Sequence, residues 1–186
     1  MKIPIIAGHS ITSPGAIAYD GTTEHSLNVE LQSMIAQGQR DSVALTGSSM
    51  VPVTDHEELC LRSVINLINA TRGASYGLDI HFNNNNPAAF GVEAFIHPNT
   101  IENNRRRAIY ICDGLSLIMG IPNRGIKFPA QSHLGTLAII EQTNIPMILI
   151  EVSFTNKKDL TAYRKNKLQV ANFLQKTMFN ANVFFS

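Results

Sequence analysis

The feature that most constrains the fold is an end-to-end alternation of short apolar runs with longer amphipathic segments. Residues 2–7, 76–82, 91–96 and 147–152 are too short for ordinary helices. They are also rich in aliphatic or β-branched side chains, so each reads as a strand. Residues 42–46 and 137–140 are expected to add two further short strands. Between these runs, residues 24–37 place Leu27, Leu31, Met34 and Ile35 at helical spacing. Residues 55–71 do the same with Cys60, Val64, Leu67 and Ile68, behind a possible cap at Thr54 or Asp55. Residues 101–119 and 156–179 supply two more helices. Strands alternating with helices predict an α/β fold: one domain over residues 1–186, with a twisted, mostly parallel sheet flanked by helices on both faces.

Composition agrees with this and removes several functional classes. The 186 residues suffice for one sizeable core, and 44% hydrophobic against 16% charged residues excludes a disordered chain. A net charge of +1 offers no electrostatic reason to expect nucleic acid as a partner. Arg105, Arg106 and Arg107 read as a solvated helix face. Cys60 and Cys112 fall on separate predicted helices among apolar neighbours and read as buried thiols, with pairing left open. The apolar opening, residues 1–7, is too short for a secretory signal, and no stretch is long enough to cross a bilayer. No membrane partner is expected, and the chain reads as a monomer.

In sheets of this kind, ligands gather beyond the carboxyl ends of the strands. That rule selects four residues. His9 follows the first strand, His81 closes the strand at 76–82, Glu151 ends an apolar run, and Glu24 opens the helix after the His9 loop. Two imidazoles and a carboxylate suit a catalytic zinc ion with one position left for water. A further carboxylate, Glu151, suits proton transfer. Taken singly, each has a structural reading. His9 and His81 could bond loop backbone, and Glu24 could serve the helix dipole. Glu151 resists such a reading, because a carboxylate within an apolar run is costly to bury unpartnered.

The same residues carry a resemblance. Gly8-His9 with Pro14-Gly15-Ala16, Glu24-His25-Ser26-Leu27-Asn28 and His81-Phe82-Asn83 stand in one order along the chain. They are followed by Gly91-Val92-Glu93-Ala94-Phe95, Asn123-Arg124-Gly125-Ile126-Lys127, and the segment from Pro146 through Glu151 to Asn156. The whole resembles the zinc-dependent N-acetylmuramoyl-L-alanine amidases of cell separation, spore-cortex lysis and phage endolysins. The resemblance implies one zinc ion on His9, Glu24 and His81, with Glu151 catalytic. The implied substrate is peptidoglycan, cut between N-acetylmuramic acid and the L-alanine of the stem peptide. Departures are Ser10-Ile11 for a glycine pair, Ser13 for the usual aspartate, and Ser153 for glycine. Each touches loop conformation rather than a ligand.

Asn83 is a candidate for orienting a ligand or binding substrate, with a turn residue as the alternative. His133 is a candidate for the cleft wall, with an exposed loop residue as the alternative. His25, His56 and His97 carry no signal beyond their type. Two other functions stay open on the residues alone: a non-catalytic peptidoglycan-binding domain, or a zinc peptidase of other specificity. Action on the cell wall requires delivery by another factor, as for a phage lysin, or a signal peptide that has been removed.

Overall fold

The computed structural model describes residues 2–46, 49–54, 61–84 and 89–179, with backbone alone over 38–46 and 49–54. Among these residues six strands and five α-helices follow one another: β1 (Lys2–Ala7), α1 (Glu24–Thr46), β2 (Ser49–Thr54), α2 (Leu61–Ala70), β3 (Gly77–Asn83), β4 (Val92–Ile96), α3 (Glu102–Met119), β5 (Asn123–Lys127), α4 (Ala138–Glu141), β6 (Met147–Phe154) and α5 (Lys157–Phe179). The strands form a single sheet in the order β2-β1-β3-β6-β4-β5. Four of its five pairings are parallel, and β4 runs antiparallel to β6. The expected α/β architecture, with a mostly parallel sheet, is what forms. Among the described residues no helix is long and apolar enough to cross a membrane.

Side chains alternate between the two sheet faces, as strand geometry requires. Ile3, Ile5, Leu78, Ile80, Phe82, Ile148, Ile150 and Val152 face the larger core, which is covered by α1, α3 and α5. Ile6, Phe95, Met147 and Leu149 face a smaller core under α2 and α4. The odd-numbered positions of β3 and β6 therefore point to the smaller core. Near the carboxyl ends of these strands the apolar residues on that face give way to Asp79, His81 and Glu151.

Two expected strands are corrected. Residues 42–46 continue α1, which runs unbroken to Thr46. Residues 137–140 enter the short helix α4, with Gln142 N–H donating to the Ala138 carbonyl at 2.8 Å. A short apolar run fits a buried helix turn as well as a strand, and backbone pairing decides between them. The structure adds β2 and β5, strands that were not expected from the sequence. The described part of the expected 55–71 helix begins at Leu61, and Cys60 and His56 lie outside the described residues. Cys112 is a buried thiol of the larger core. Burial, reinforced by Asp113 and Glu93, pushes it up to about 12.

Candidate metal centre

Three segments converge at the carboxyl edge of β1 and β3. The first is the turn after β1. Gly8 donates its N–H to the Ile80 carbonyl at 3.0 Å, which ties the turn to β3. Its own carbonyl accepts from Asn28 Nδ2 at 2.9 Å and faces His25 Nδ1 at 3.2 Å, so the buried side of α1 holds it from below. A Cβ at residue 8 would overlap the imidazole of His81, so only glycine leaves that ring its place. His9 then takes φ 64°, the only non-glycine residue in the left-handed region among those described. Ser10, where glycine is usual in the family resembled, closes the loop by accepting the Ser13 N–H on Oγ at 3.0 Å.

The second segment is the start of α1. Thr23 Oγ1 accepts the Ser26 N–H at 3.2 Å and caps the helix. That leaves the Glu24 carboxylate free for other partners. Oε2 lies 3.1 Å from His9 Nε2 and accepts the Ala16 N–H at 3.1 Å. Oε1 lies 3.0 Å from His81 Nδ1 and accepts the Phe82 N–H at 3.2 Å. Gly15, at φ 72°, lets the loop pass close by, since a Cβ there would sit 2.6 Å from Glu24 Oε2.

The third is β3, which ends in His81. The His9 and His81 rings meet edge-on, with centroids 5.0 Å apart. Donor atoms of His9, Glu24 and His81 all lie within 4.8 Å of one another, a group able to hold a metal ion. The donor chemistry fits: two imidazole nitrogens and a carboxylate are the set a divalent zinc ion takes in open catalytic sites. Burial works against the Glu24 carboxylate, but hydrogen bonds from His81 and His9 hold its pKa well below the usual range. Burial likewise works against a charged His81, yet Asp79, then Glu24 and Glu151, hold its pKa well above the ordinary value.

Glu151 sits in register with His81 on one side and with Glu93 on the other. Its Oε2 is buried and lacks a hydrogen-bond partner. Burial pushes its pKa up to about 8; His81 opposes the rise, while Glu24, Glu93 and Asp79 add to it. Ser153, where glycine is usual, lies beyond Glu151 next to a register shift between β3 and β6, fully buried and with no left-handed backbone.

A groove of about 1000 Å³ opens over the cluster, bounded by His9, Glu24, His81, Glu151, Arg124 and Lys127, with His133 on its rim. Its floor holds Glu93, only 3% exposed, which binds Asn83 Nδ2 at 2.9 Å, Lys127 Nζ at 2.6 Å and the Arg124 guanidinium. Of the expected site residues, His9, Glu24, His81 and Glu151 are thus brought together. Asn83 donates to Glu93 in the same groove, and His133 is an exposed groove residue. Asp79 and the Glu93 cluster were not singled out from the sequence. The cost of burying a carboxylate within an apolar strand, which drew attention to Glu151, applies equally to Asp79 and Glu93 and could have found them.

Comparison with known proteins places the chain. No match appears among curated proteins. In three dimensions it is similar to an N-acetylmuramoyl-L-alanine amidase from Clostridium difficile 630, at TM-score 0.82 and 18% identity, covering 100% of this chain and 98% of that one. The catalytic domain of CwlV, an N-acetylmuramoyl-L-alanine amidase from Bacillus (Paenibacillus) polymyxa var. colistinus, matches at TM-score 0.78 and 18% identity, over 98% of each chain. The catalytic domain of an endolysin targeting Clostridia difficile matches at TM-score 0.72 and 23% identity, over 97% of each. At such identities these likenesses show the fold. A family model described as N-acetylmuramoyl-L-alanine amidase matches residues 3–178, nearly the whole chain, and the protein belongs to that family.

Proposed function

We propose that this chain is a zinc-dependent amidase that cleaves peptidoglycan between N-acetylmuramic acid and the L-alanine of the stem peptide. The observation that carries the reading is the meeting of His9, Glu24 and His81 within 4.8 Å, with the buried carboxyl of Glu151 beside them at the base of an open groove. His9, Glu24 and His81 would hold the ion. Zinc supplies Lewis acidity and makes water nucleophilic at neutral pH.

The remaining chemistry belongs to the protein. Amide hydrolysis needs a group that takes a proton from water and returns one to a poor amine leaving group. Glu151 is suited to both tasks: as a carboxylate it can take the proton, and burial, by raising its affinity for that proton, lets it carry the proton to the leaving nitrogen. Its unpartnered Oε2 is free to exchange that proton. Arg124 and Lys127 together outweigh the single charge of Glu93 and leave the groove wall cationic. Such a wall suits a peptide that carries carboxylates, as stem peptides do. A domain that only bound glycan would have no use for a buried, unpartnered carboxyl at this position. Such an enzyme acts outside the cytoplasmic membrane, on the cell wall.

Digestion of purified peptidoglycan with and without chelator tests the reading. Stem peptides with a free L-alanine N-terminus should appear, disappear with chelator and return on addition of zinc. New reducing sugar ends, or cleavage within the peptide, would overturn it.

A further inference from the structure

Asp79 lies in the middle of β3, two residues before His81 and on the same face. Its neighbours in register are Ile6 on β1 and Leu149 on β6, both part of the smaller core. An apolar side chain would serve that core better, yet the position holds a carboxylate that is 4% exposed. One oxygen, Oδ2, lies 3.3 Å from His81 Nε2. The other, Oδ1, is buried without a hydrogen-bond partner. Leaving such an atom unpaired is costly, so stability of the sheet does not account for the residue.

The two nitrogens of His81 are divided between two carboxylates. Nδ1 faces Glu24, within the group that gathers the donor atoms, and Nε2 faces Asp79, behind it. A neutral imidazole carries one proton, and the nitrogen without it is the one that can bind a metal. With Glu24 engaged by an ion, Asp79 would be the carboxylate left to accept from the ring, keeping the proton on Nε2 and leaving the Nδ1 lone pair to the metal. Glycine at position 8 lets the ring lie between the two partners.

We infer that Asp79 is a positioning residue for His81, selecting the Nε2–H form of the ring and thereby setting the affinity of the His9, Glu24, His81 group for zinc. The inference rests on the metal reading above and extends it to a residue outside the group of three donors. Partners of this kind are worth 10–100-fold in metal affinity.

The test is a zinc titration of metal-free wild-type protein and the Asp79→Asn and Asp79→Ala variants against a colorimetric chelator of known affinity. Nitrogen-15 spectra of histidine-labelled, zinc-loaded protein and thermal melts of the metal-free forms accompany it. Zinc binding should weaken by about 10–100-fold in Asp79→Ala and by less in Asp79→Asn, whose amide oxygen still accepts a hydrogen bond. The wild-type spectrum should show the His81 proton on Nε2. A purely structural Asp79 would lower the melt and leave zinc affinity unchanged. Should Asp79→Ala fail to fold, the near-isosteric Asn variant decides on its own. Folded variants that bind zinc within twofold of wild type would overturn the role of Asp79 alone. A wild type that takes up no zinc would overturn the metal reading beneath it.

Discussion

The Glu151 carboxyl carries two separable predictions. Glu151→Gln keeps size and shape but cannot exchange a proton, so turnover on peptidoglycan should fall at least about 100-fold while zinc stays bound. Metal content and activity measured on one preparation check both halves. The second concerns the metal-free protein. Between about pH 4.5 and about 8 the folded state keeps a proton on Glu151 that the unfolded chain has released, so the stability due to this group falls as pH rises through that window. Melts of metal-free Glu151→Gln should therefore match wild type near pH 5 and lie several degrees above it near pH 9. A gap that widens toward acid would contradict the buried carboxyl. At Gly8 the expectation is steric: Gly8→Ala displaces the His81 ring and should lose stoichiometric zinc while the sheet still forms.

Elements differ in how plainly the sequence announces them. The strands β1, β3, β4 and β6 were legible because strands buried on both faces read as short, mostly apolar runs, and the helices α1, α3 and α5 because each has apolar residues at helical spacing. β5 was not. Asn-Arg-Gly-Ile-Lys shows no alternation, because an edge strand with partly exposed side chains needs pairing on one side only. α4 offered four nearly continuous apolar positions, a run too short to reveal any period. The meeting of the three donors was legible through the rule that strand ends and the loops after them gather at one edge. The Glu93 cluster was not, because β4 runs the other way and brings the beginning of a strand to the site. One motif residue proves to be architectural. Asn156 Oδ1 accepts the Asp159 N–H at 3.0 Å and caps α5, while its Nδ2 holds the Ala89 carbonyl at 3.1 Å. Asn156→Ala should cost about 1 kcal/mol, seen as a lower melting temperature with zinc affinity unchanged.

For the molecule as a whole, the group of three donors joins parts of the chain remote in sequence: the end of β1, the start of α1 and the end of β3. An ion held by all three favours the folded state over the unfolded one by mass action. Zinc at 100 times its dissociation constant should add about 2.7 kcal/mol, raising the melting temperature of a domain this size by roughly 5–10 °C. Scanning calorimetry with zinc and with chelator measures the difference, and His81→Ala should abolish it. An unchanged melt in the wild type would place the ion, if bound, on a surface that folding does not assemble.

The left-handed backbone at His9 reverses an ordinary ranking of substitutions. At most positions glycine destabilises relative to alanine, because it frees the unfolded chain. At His9 the native φ of 64° suits glycine and penalises every side chain. His9→Gly should therefore outlast His9→Ala on heating, while neither variant hydrolyses peptidoglycan. The chain keeps an imidazole where a bare backbone would be more comfortable, and the local strain falls on the turn that carries one of the three donors.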